Sequence, residues 1–339
     1  MTLETPLTPT KRGDSESRLF WRLLATFGLG FSLPVLACYG LVIVSALALR
    51  ILALGSTSAA TPAAESGVGP AVAVIPIKGI ITSGEGGPFA NTGVAFSESI
   101  IADIEKANED NDVKAILLDV DSPGGGVVAS DEIYHALSQV EKPVVVVIGG
   151  LGASGAYYIS MASDWIIANP NSLVGSIGVI SEFPNAEGLL EKVGVEFVVI
   201  TSGPRKDVGS PYRDMTEAEE AYWQTIVDET YESFVQIVAE GRGMTVEDVA
   251  PLADGGVYTG RQALDLKLVD ALGYKDDAIT KAAGLGGITG EPRIIEYHKQ
   301  PTLFELLTQA AQGRSLLPSA AELANLIGRP SLAARWVGP

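Results

Sequence analysis

Ser154 has the most chemically suggestive setting in the chain. It lies in Gly152-Ala153-Ser154-Gly155, directly after the apolar run at 144–148. A serine among small residues at the end of a strand suits a nucleophile that attacks a carbonyl carbon. A second glycine-rich turn, Asp121-Ser122-Pro123-Gly124-Gly125-Gly126, follows the apolar run at 115–120. Both segments read as strand, glycine turn, helix. Together, two such turns can aim backbone N–H groups at one oxygen as it becomes negative, which acyl transfer requires, and glycine has no Cβ to obstruct the approach. Taken singly, each is also ordinary turn sequence. The Gly-x-Ser-x-Gly pattern is not met, because Ala156 stands where its second glycine would fall. Neither turn has the Lys-Ser/Thr of a P-loop or the Gly-x-Gly-x-x-Gly spacing, so phosphate cradling is not indicated.

A serine nucleophile needs a base, and the chain has only two histidines, His135 and His298. His135 falls within a predicted helix and His298 near the tail; neither has a distinctive setting, although triad partners come from anywhere in a chain. Lysine is the other recognised partner. Lys192, Lys206, Lys267, Lys275, Lys281 and Lys299 all follow Ser154. Lys192, Lys267 and Lys275 lie in helical, solvated contexts. Lys206 differs: it sits in Thr201-Ser202-Gly203-Pro204-Arg205-Lys206-Asp207, a loop pinned by glycine and proline. A lysine base must be neutral near neutral pH, which from an ordinary pKa of ~10.4 needs a shift worth roughly 3–4 kcal/mol, the kind that burial supplies. Asp207 opposes that shift unless it points away. On context alone the reading of Lys206 as a surface loop lysine prevails.

The elements that must position these residues are legible as a pattern. Residues 71–79, 113–122, 142–150, 164–170 and 195–201 read as strands. Helices are predicted over 97–110 with a serine cap, over 128–140, and over 154–163. A long helix opens at Thr216 with Glu219 in the capping-box position and runs to about Glu240, before Gly241. Strands alternating with helices predict an α/β core with both faces covered, in which sites collect at strand-to-helix turns.

The single cysteine, Cys38, excludes an intrachain disulfide and thiol catalysis, and no metal site or cofactor motif is present. The formal net charge is −18, and the first 50 residues carry five basic and three acidic groups, so the acidity resides in the remainder. A surface this acidic excludes nucleic acid as a partner. Residues 23–49 contain no charged residue. A helix of that length reaches about 40 Å, enough to cross a ~30 Å hydrocarbon core, and Pro34 is tolerated within it. Four basic residues precede the run, so the positive-inside rule keeps the N-terminus cytoplasmic and exports the rest to a periplasmic, extracellular or lumenal space. A cleaved signal peptide is the competing reading. The expected organisation is a cytoplasmic tail at 1–22, a transmembrane anchor at 23–50, a flexible linker at 51–70, a catalytic domain at 71–298 and a helical tail at 299–339.

Taken in order, the segments Leu118-Asp119-Val120-Asp121-Ser122-Pro123-Gly124-Gly125-Gly126, then 152–160, then Asn171-Ser172-Leu173-Val174-Gly175-Ser176-Ile177-Gly178-Val179-Ile180, then 201–219 resemble the signal peptide peptidase A family of membrane-anchored serine proteases. The likeness covers roughly residues 72–270. It implies a Clp protease- and crotonase-like α/β fold of repeated strand-strand-helix units. It also implies Ser154 as nucleophile, Lys206 as general base, N–H groups of Gly124 or Gly125 and Gly155 as the oxyanion hole, and Ser176 as the residue orienting the lysine. Ala156 departs from the glycine of many members, which implies a local packing change. Short members are implied to form octameric rings on the membrane and to degrade remnant signal peptides, each chain carrying both Ser154 and Lys206. Two other readings stay open: a crotonase-type acyl-CoA enzyme using the same two turns, and a non-catalytic membrane scaffold of the same fold.

Overall fold

Runs of β-branched and aliphatic residues become the strands of a mostly parallel sheet. The computed structural model describes residues 64–66, 69–86, 93–297 and 332–335, all within one compact unit, Pro62–Pro339. The expected anchor at 23–50, most of the expected linker, His298 and the expected tail helices lie outside those residues. Among the described residues no helix is long and apolar enough to cross a membrane.

The strands are β1 (Ala64–Ser66), β2 (Ala71–Lys78), β3 (Ile80–Thr82), β4 (Val94–Phe96), β5 (Val113–Ser122), β6 (Gly124–Gly126) and β7 (Val144–Ala153). They continue with β8 (Trp165–Ala168), β9 (Leu173–Gly175), β10 (Ile180–Ser181), β11 (Val257–Thr259), β12 (Ala271–Leu272), β13 (Arg293–Glu296) and β14 (Leu332–Arg335). The helices are α1 (Ser97–Glu109), α2 (Val127–Ser138), α3 (Gly155–Ser160), α4 (Glu187–Val193), α5 (Glu217–Arg242), α6 (Val246–Val249), α7 (Gly260–Asp265) and α8 (Lys275–Leu285).

The larger sheet runs β1-β13-β2-β5-β7-β8-β12, with β9 on β7 and β11 on β9. The pairs β2/β5, β5/β7 and β7/β8 are parallel. Both faces are covered, as a parallel sheet demands. Ile75, Ile77, Ile116, Leu118, Val146 and Ile148 face a core that includes residues of α1, α2 and α5. The alternate residues Val72, Val74, Leu117, Val145 and Val147 pack on Ala278, Ala282 and Ala283 of α8. Alternation with period two therefore assigns each strand residue to one face or the other. Full burial of each such side chain stabilises the fold by about 1.5–3 kcal/mol.

At the C-terminal ends of β2 and β5 the chain bends into a second, smaller sheet, β10-β14-β6-β3-β4. The units β2-β3-β4-α1 and β5-β6-α2 are the expected strand-strand-helix repeat. Several local expectations are corrected. The glycine turn is itself a strand, β6, paired to β3 through Ile81 opposite Gly125. Residues 195–201, expected as a strand, form none, and they lie exposed. Ser97 is the first helical residue rather than the cap: Phe96 occupies the cap, and the Ser97 hydroxyl donates to Glu132 Oε2 at 2.9 Å. The 154–163 helix shortens to the six residues of α3. The Thr216 capping box forms in both directions, but α5 passes Gly241 and ends at Arg242, with left-handed Gly243 (φ 61°) closing it. Gly241 lies so close to Met161 that an added Cβ would stand 2.8 Å from its carbonyl oxygen, so this glycine serves a helix contact rather than a stop. In the tail expected to be helical, Leu332–Arg335 is a strand.

Tyr157, in the first turn of α3, is fully buried and its hydroxyl donates to the Leu268 carbonyl at 2.7 Å. Burial raises its pKa, so the phenol stays neutral and keeps that proton to donate. Tyr157→Phe leaves the Leu268 carbonyl buried without that donor. The expected cost is about 1–3 kcal/mol, read as a lower midpoint in denaturant unfolding with an unchanged slope.

Candidate active site

The site begins with a change of partner along one strand. β7 pairs through Val145–Ile148 with β8, passes Gly149 and Gly150, and then pairs through Leu151–Ala153 with β9. Gly152 sits against Ile148, where an added Cβ would come within 2.8 Å of the isoleucine side chain. The register places Ala153 opposite Gly175, so Ser154 and Ser176 are the next residues on two adjacent parallel strands. Both have left-handed backbone, with φ of 55° at Ser154 and 50° at Ser176. Such conformations cost non-glycine residues about 1–3 kcal/mol and persist only where surrounding bonds enforce them.

Here the enforcing bonds are explicit. The Ser154 N–H donates to Gly175 O at 2.7 Å, and the Ser176 N–H donates to Gly256 O at 2.7 Å. The Ser154 carbonyl accepts the Tyr158 N–H at 2.9 Å, which locks the serine to the start of α3. Ser154 has φ 55° and ψ −121°, a sharp strand-to-helix corner. It is 1% exposed and Ser176 is 6% exposed. Among the described residues neither hydroxyl has a hydrogen-bond partner, so both are open to a reacting group.

The Gly155 N–H, in the first turn of α3, has no acceptor within its own helix. Ala156 is buried in the core, so its methyl is accommodated where a glycine was the expectation. Gly124 has φ 88°, a conformation that favours glycine, and an added Cβ on Gly125 would stand within 1.8 Å of the Ile81 carbonyl oxygen. Ser122, which the sequence reading passed over, organises this strand. Its hydroxyl accepts the Gly124 N–H at 3.1 Å and donates to the Gly79 carbonyl at 2.6 Å, tying β6 to the turn before β3. A short hydroxyl immediately before Pro-Gly-Gly-Gly was the available signal. Beside Ser176 opens a cavity of about 470 Å³, lined by Val179, Ile180, Asp228, Tyr231 and Asp254 among others.

The structure thus brings together Ser154, Gly155, Gly175 and Ser176 at one strand end. Lys206 is elsewhere in kind: it is exposed, in the turn 203–210, and no hydrogen bond or ion pair links it to Ser154 or Ser176 among the described residues. Its loop is nonetheless anchored. Arg205 lies over the Tyr222 ring at 4.5 Å. Arg213 donates through Nε to Asp207 at 2.9 Å and through its two terminal nitrogens to Glu219 at 2.8 and 2.6 Å. The Asp207 carboxylate is therefore turned onto Arg213, which lowers its pKa. Hydrogen bonds from Arg213, and then from the Thr216 backbone, hold Glu219 down at about 2. His135 is exposed on α2 and lines a different cavity, between α1 and α2, with Glu98, Ile101 and Glu132. Among the described residues no group of His, Cys, Asp or Glu is arranged to hold a metal ion.

Comparison with known proteins follows this geometry. Residues 136–289, which hold β7, Ser154, Ser176 and Lys206, match Peptidase family S49, and residues 90–174 match the Clp protease family. The chain is 38% identical over 238 residues to a protein assigned as a signal peptide peptidase SppA in Enterococcus faecium, covering 67% of this chain and 69% of that one. The chain belongs to the signal peptide peptidase A family, peptidase family S49. It is 41% identical over 201 residues to a protein assigned as a protease in Methanocaldococcus jannaschii, covering 59% of this chain and 63% of that one. It is 35% identical over 276 residues to Protease 4 of Salmonella typhi, covering 80% of this chain and 43% of the relative. The chain therefore spans under two thirds of the Methanocaldococcus jannaschii relative and under half of Protease 4.

Two outcomes are expected from this geometry. Ser154→Gly relieves the left-handed strain whereas Ser154→Ala retains it, so the glycine variant should be about 1–3 kcal/mol more stable than the alanine variant in denaturant unfolding. Glu219 has a folded pKa below its ordinary value of ~4.3, so its contribution is fully present above that value and is lost as pH falls through about 2. Amide exchange of residues 203–216 should accelerate across that window in the wild-type protein, and should already be fast at neutral pH in Glu219→Gln.

Proposed function

We propose that the chain is a serine endopeptidase in which Ser154 attacks the peptide carbonyl and Lys206 is its general base. The observation that carries this reading is the strained, buried Ser154 at the end of β7, its hydroxyl open beside the Gly155 N–H. In this mechanism Ser154 Oγ adds to the carbonyl carbon as its proton passes to a neutral lysine. The tetrahedral oxyanion is held by the Gly155 N–H and a backbone N–H of the Gly124–Gly125 turn, Gly125 rather than Gly124 because the Gly124 N–H is given to the Ser122 hydroxyl. The lysine then protonates the leaving amine, and water resolves the acyl-serine by the same steps in reverse order. Ser176, with its hydroxyl open one strand away, orients the lysine. Extended peptide suits the site because β-strand addition supplies main-chain bonds without requiring a particular sequence. Remnant signal peptides are the proposed substrates, and a membrane anchor at 23–50 with an exported catalytic domain is the proposed placement.

The exposed position of Lys206 supports assembly as part of the mechanism. Residues preceding its loop present a run of apolar side chains to solvent, with Val198 82% and Ile200 93% exposed. A contiguous run of this kind fits a protein interface, and burial there would desolvate a neighbouring lysine in the direction a base requires. The homo-oligomer, an octameric ring in the proposed form, thereby completes the site. Ser154→Ala and Lys206→Ala should each lower peptide cleavage by at least about 10³-fold. Full activity in Lys206→Ala contradicts the dyad. Wild-type specific activity should fall more than about tenfold on dilution to the monomer, and activity independent of concentration through that transition contradicts completion by assembly. Mixing the two inactive proteins tells which copy supplies the lysine: recovered cleavage places it across the interface, and continued inactivity places it in the same chain as the serine.

A further inference from the structure

Lys206 stands between two charged neighbours, Arg205 and Asp207, and each of them has a partner other than the lysine. Arg205 lies over the Tyr222 ring at 4.5 Å. The Asp207 carboxylate accepts from Arg213 Nε at 2.9 Å, and the Asp207 carbonyl accepts from Arg213 Nη2 at 3.4 Å. Arg213 Nη1 also donates to the Asp214 carbonyl at 2.9 Å, and the same guanidinium holds both oxygens of Glu219. One side chain thus clasps both ends of the turn 207–214 and pins it to the first turn of α5. Backbone bonds shape the loop: the Lys206 N–H donates to Gly203 O at 3.2 Å, and the Ser210 N–H to Asp207 O at 3.0 Å. Gly209, at φ 75°, approaches Phe183 so closely that an added Cβ would stand 2.5 Å from the ring.

The other charged groups around the turn are Asp214, Glu187 of α4, which accepts the Asp214 N–H at 3.1 Å, and Glu217 and Glu220 in the first turn of α5. The charges that weigh on the Asp207 carboxylate are those of Arg213 and Glu219. A free carboxylate close to an ammonium favours the charged amine, whereas a base must be neutral. Desolvation of the loop would strengthen that pull, because opposite charges attract more strongly away from water. A guanidinium keeps its proton at every working pH, so it can hold the carboxylate permanently.

We infer that Arg213 is a positioning residue for the general base: it takes up the Asp207 carboxylate and fixes the turn to Glu219, leaving the adjacent lysine without a counter-ion in its own loop. This rests on the reading of Lys206 as the base.

The test is the pH profile of kcat/KM for an extended fluorogenic peptide, measured on the full chain. In Arg213→Gln the released carboxylate should move the acid limb up by about one unit, so that activity on that limb falls about tenfold and returns at alkaline pH. Adding Asp207→Asn to Arg213→Gln should bring the limb back, although the clasp is still missing. Arg213→Lys, which keeps the charge but not the fork, should fall between. A merely structural Arg213 behaves differently: kcat/KM falls equally at every pH, the limb stays in place and Asp207→Asn restores nothing. That result, or a profile unchanged in Arg213→Gln, overturns the inference. A second readout needs no cleavage. In chains carrying Ser154→Ala, acetylation of Lys206 by acetic anhydride, mapped by mass spectrometry against pH, should shift upward in Arg213→Gln and return in the double variant. That shift, together with full cleavage by Lys206→Ala, keeps the clasp and removes the dyad. Cleavage abolished in Lys206→Ala, with no shift in either readout, keeps the dyad and removes the clasp.

Discussion

The hydrogen bond from the Ser154 N–H to the Gly175 carbonyl, 2.7 Å long, is the constraint on which the site depends. It holds a non-glycine residue at φ 55° and ends β7 at a corner instead of letting the strand continue. The corner is possible because β7 exchanges one neighbour for another along its length: β8 holds its buried half, and β9 holds the half that leads to the serine. A sheet with a single register would have no reason to stop there. Strain at this one residue is sustained by the burial of Val145, Val146, Val147 and Ile148 behind it, and by Tyr157 ahead of it.

The same logic extends to the glycine strand. β6 has no side chains with which to pack, and three glycines have little intrinsic reason to be extended. Its position is set by what surrounds it: the Ser122 hydroxyl bridging Gly124 N–H and Gly79 O, the parallel neighbour β3, and β14 on the open side. A backbone ribbon without Cβ atoms can approach a reacting carbonyl closely, and it is also a surface onto which any extended chain can pair. Close approach to a reacting carbonyl and the pairing with β14 therefore follow from one property of the Gly-Gly-Gly stretch.

Much of this was legible in sequence where a local signal and the tertiary demand agreed. The aliphatic runs at 71–78 and 144–148 specify strands by composition, and Thr216 with Glu219 specifies a helix start by chemistry that the structure reproduces atom for atom. Ser154 and Ser176 were legible as a family pattern, although their shared left-handed backbone was not, because it arises from strand register. The failures have physical causes. Residues 195–201 have strand composition but pair with no strand among the described residues. Gly241 resembles a helix stop, yet it is there to let α5 approach Met161. Ser97 resembles a cap, and its hydroxyl goes instead to Glu132 on the next helix. The strand at 332–335 could not be read from Leu-Ala-Ala-Arg, because its partners β6 and β10 lie about 210 and about 150 positions earlier and meet it through the backbone ladder.

The account stands on Ser154 as a nucleophile in a cleft built to activate it. The most direct measurement is the intact mass and peptide map of the full chain after exposure to a serine-reactive phosphonate, with the Ser154→Ala protein treated alongside. A single adduct on Ser154, absent from the alanine protein, is the result the account predicts. An unmodified chain, or an adduct at another serine that persists in Ser154→Ala, would contradict it.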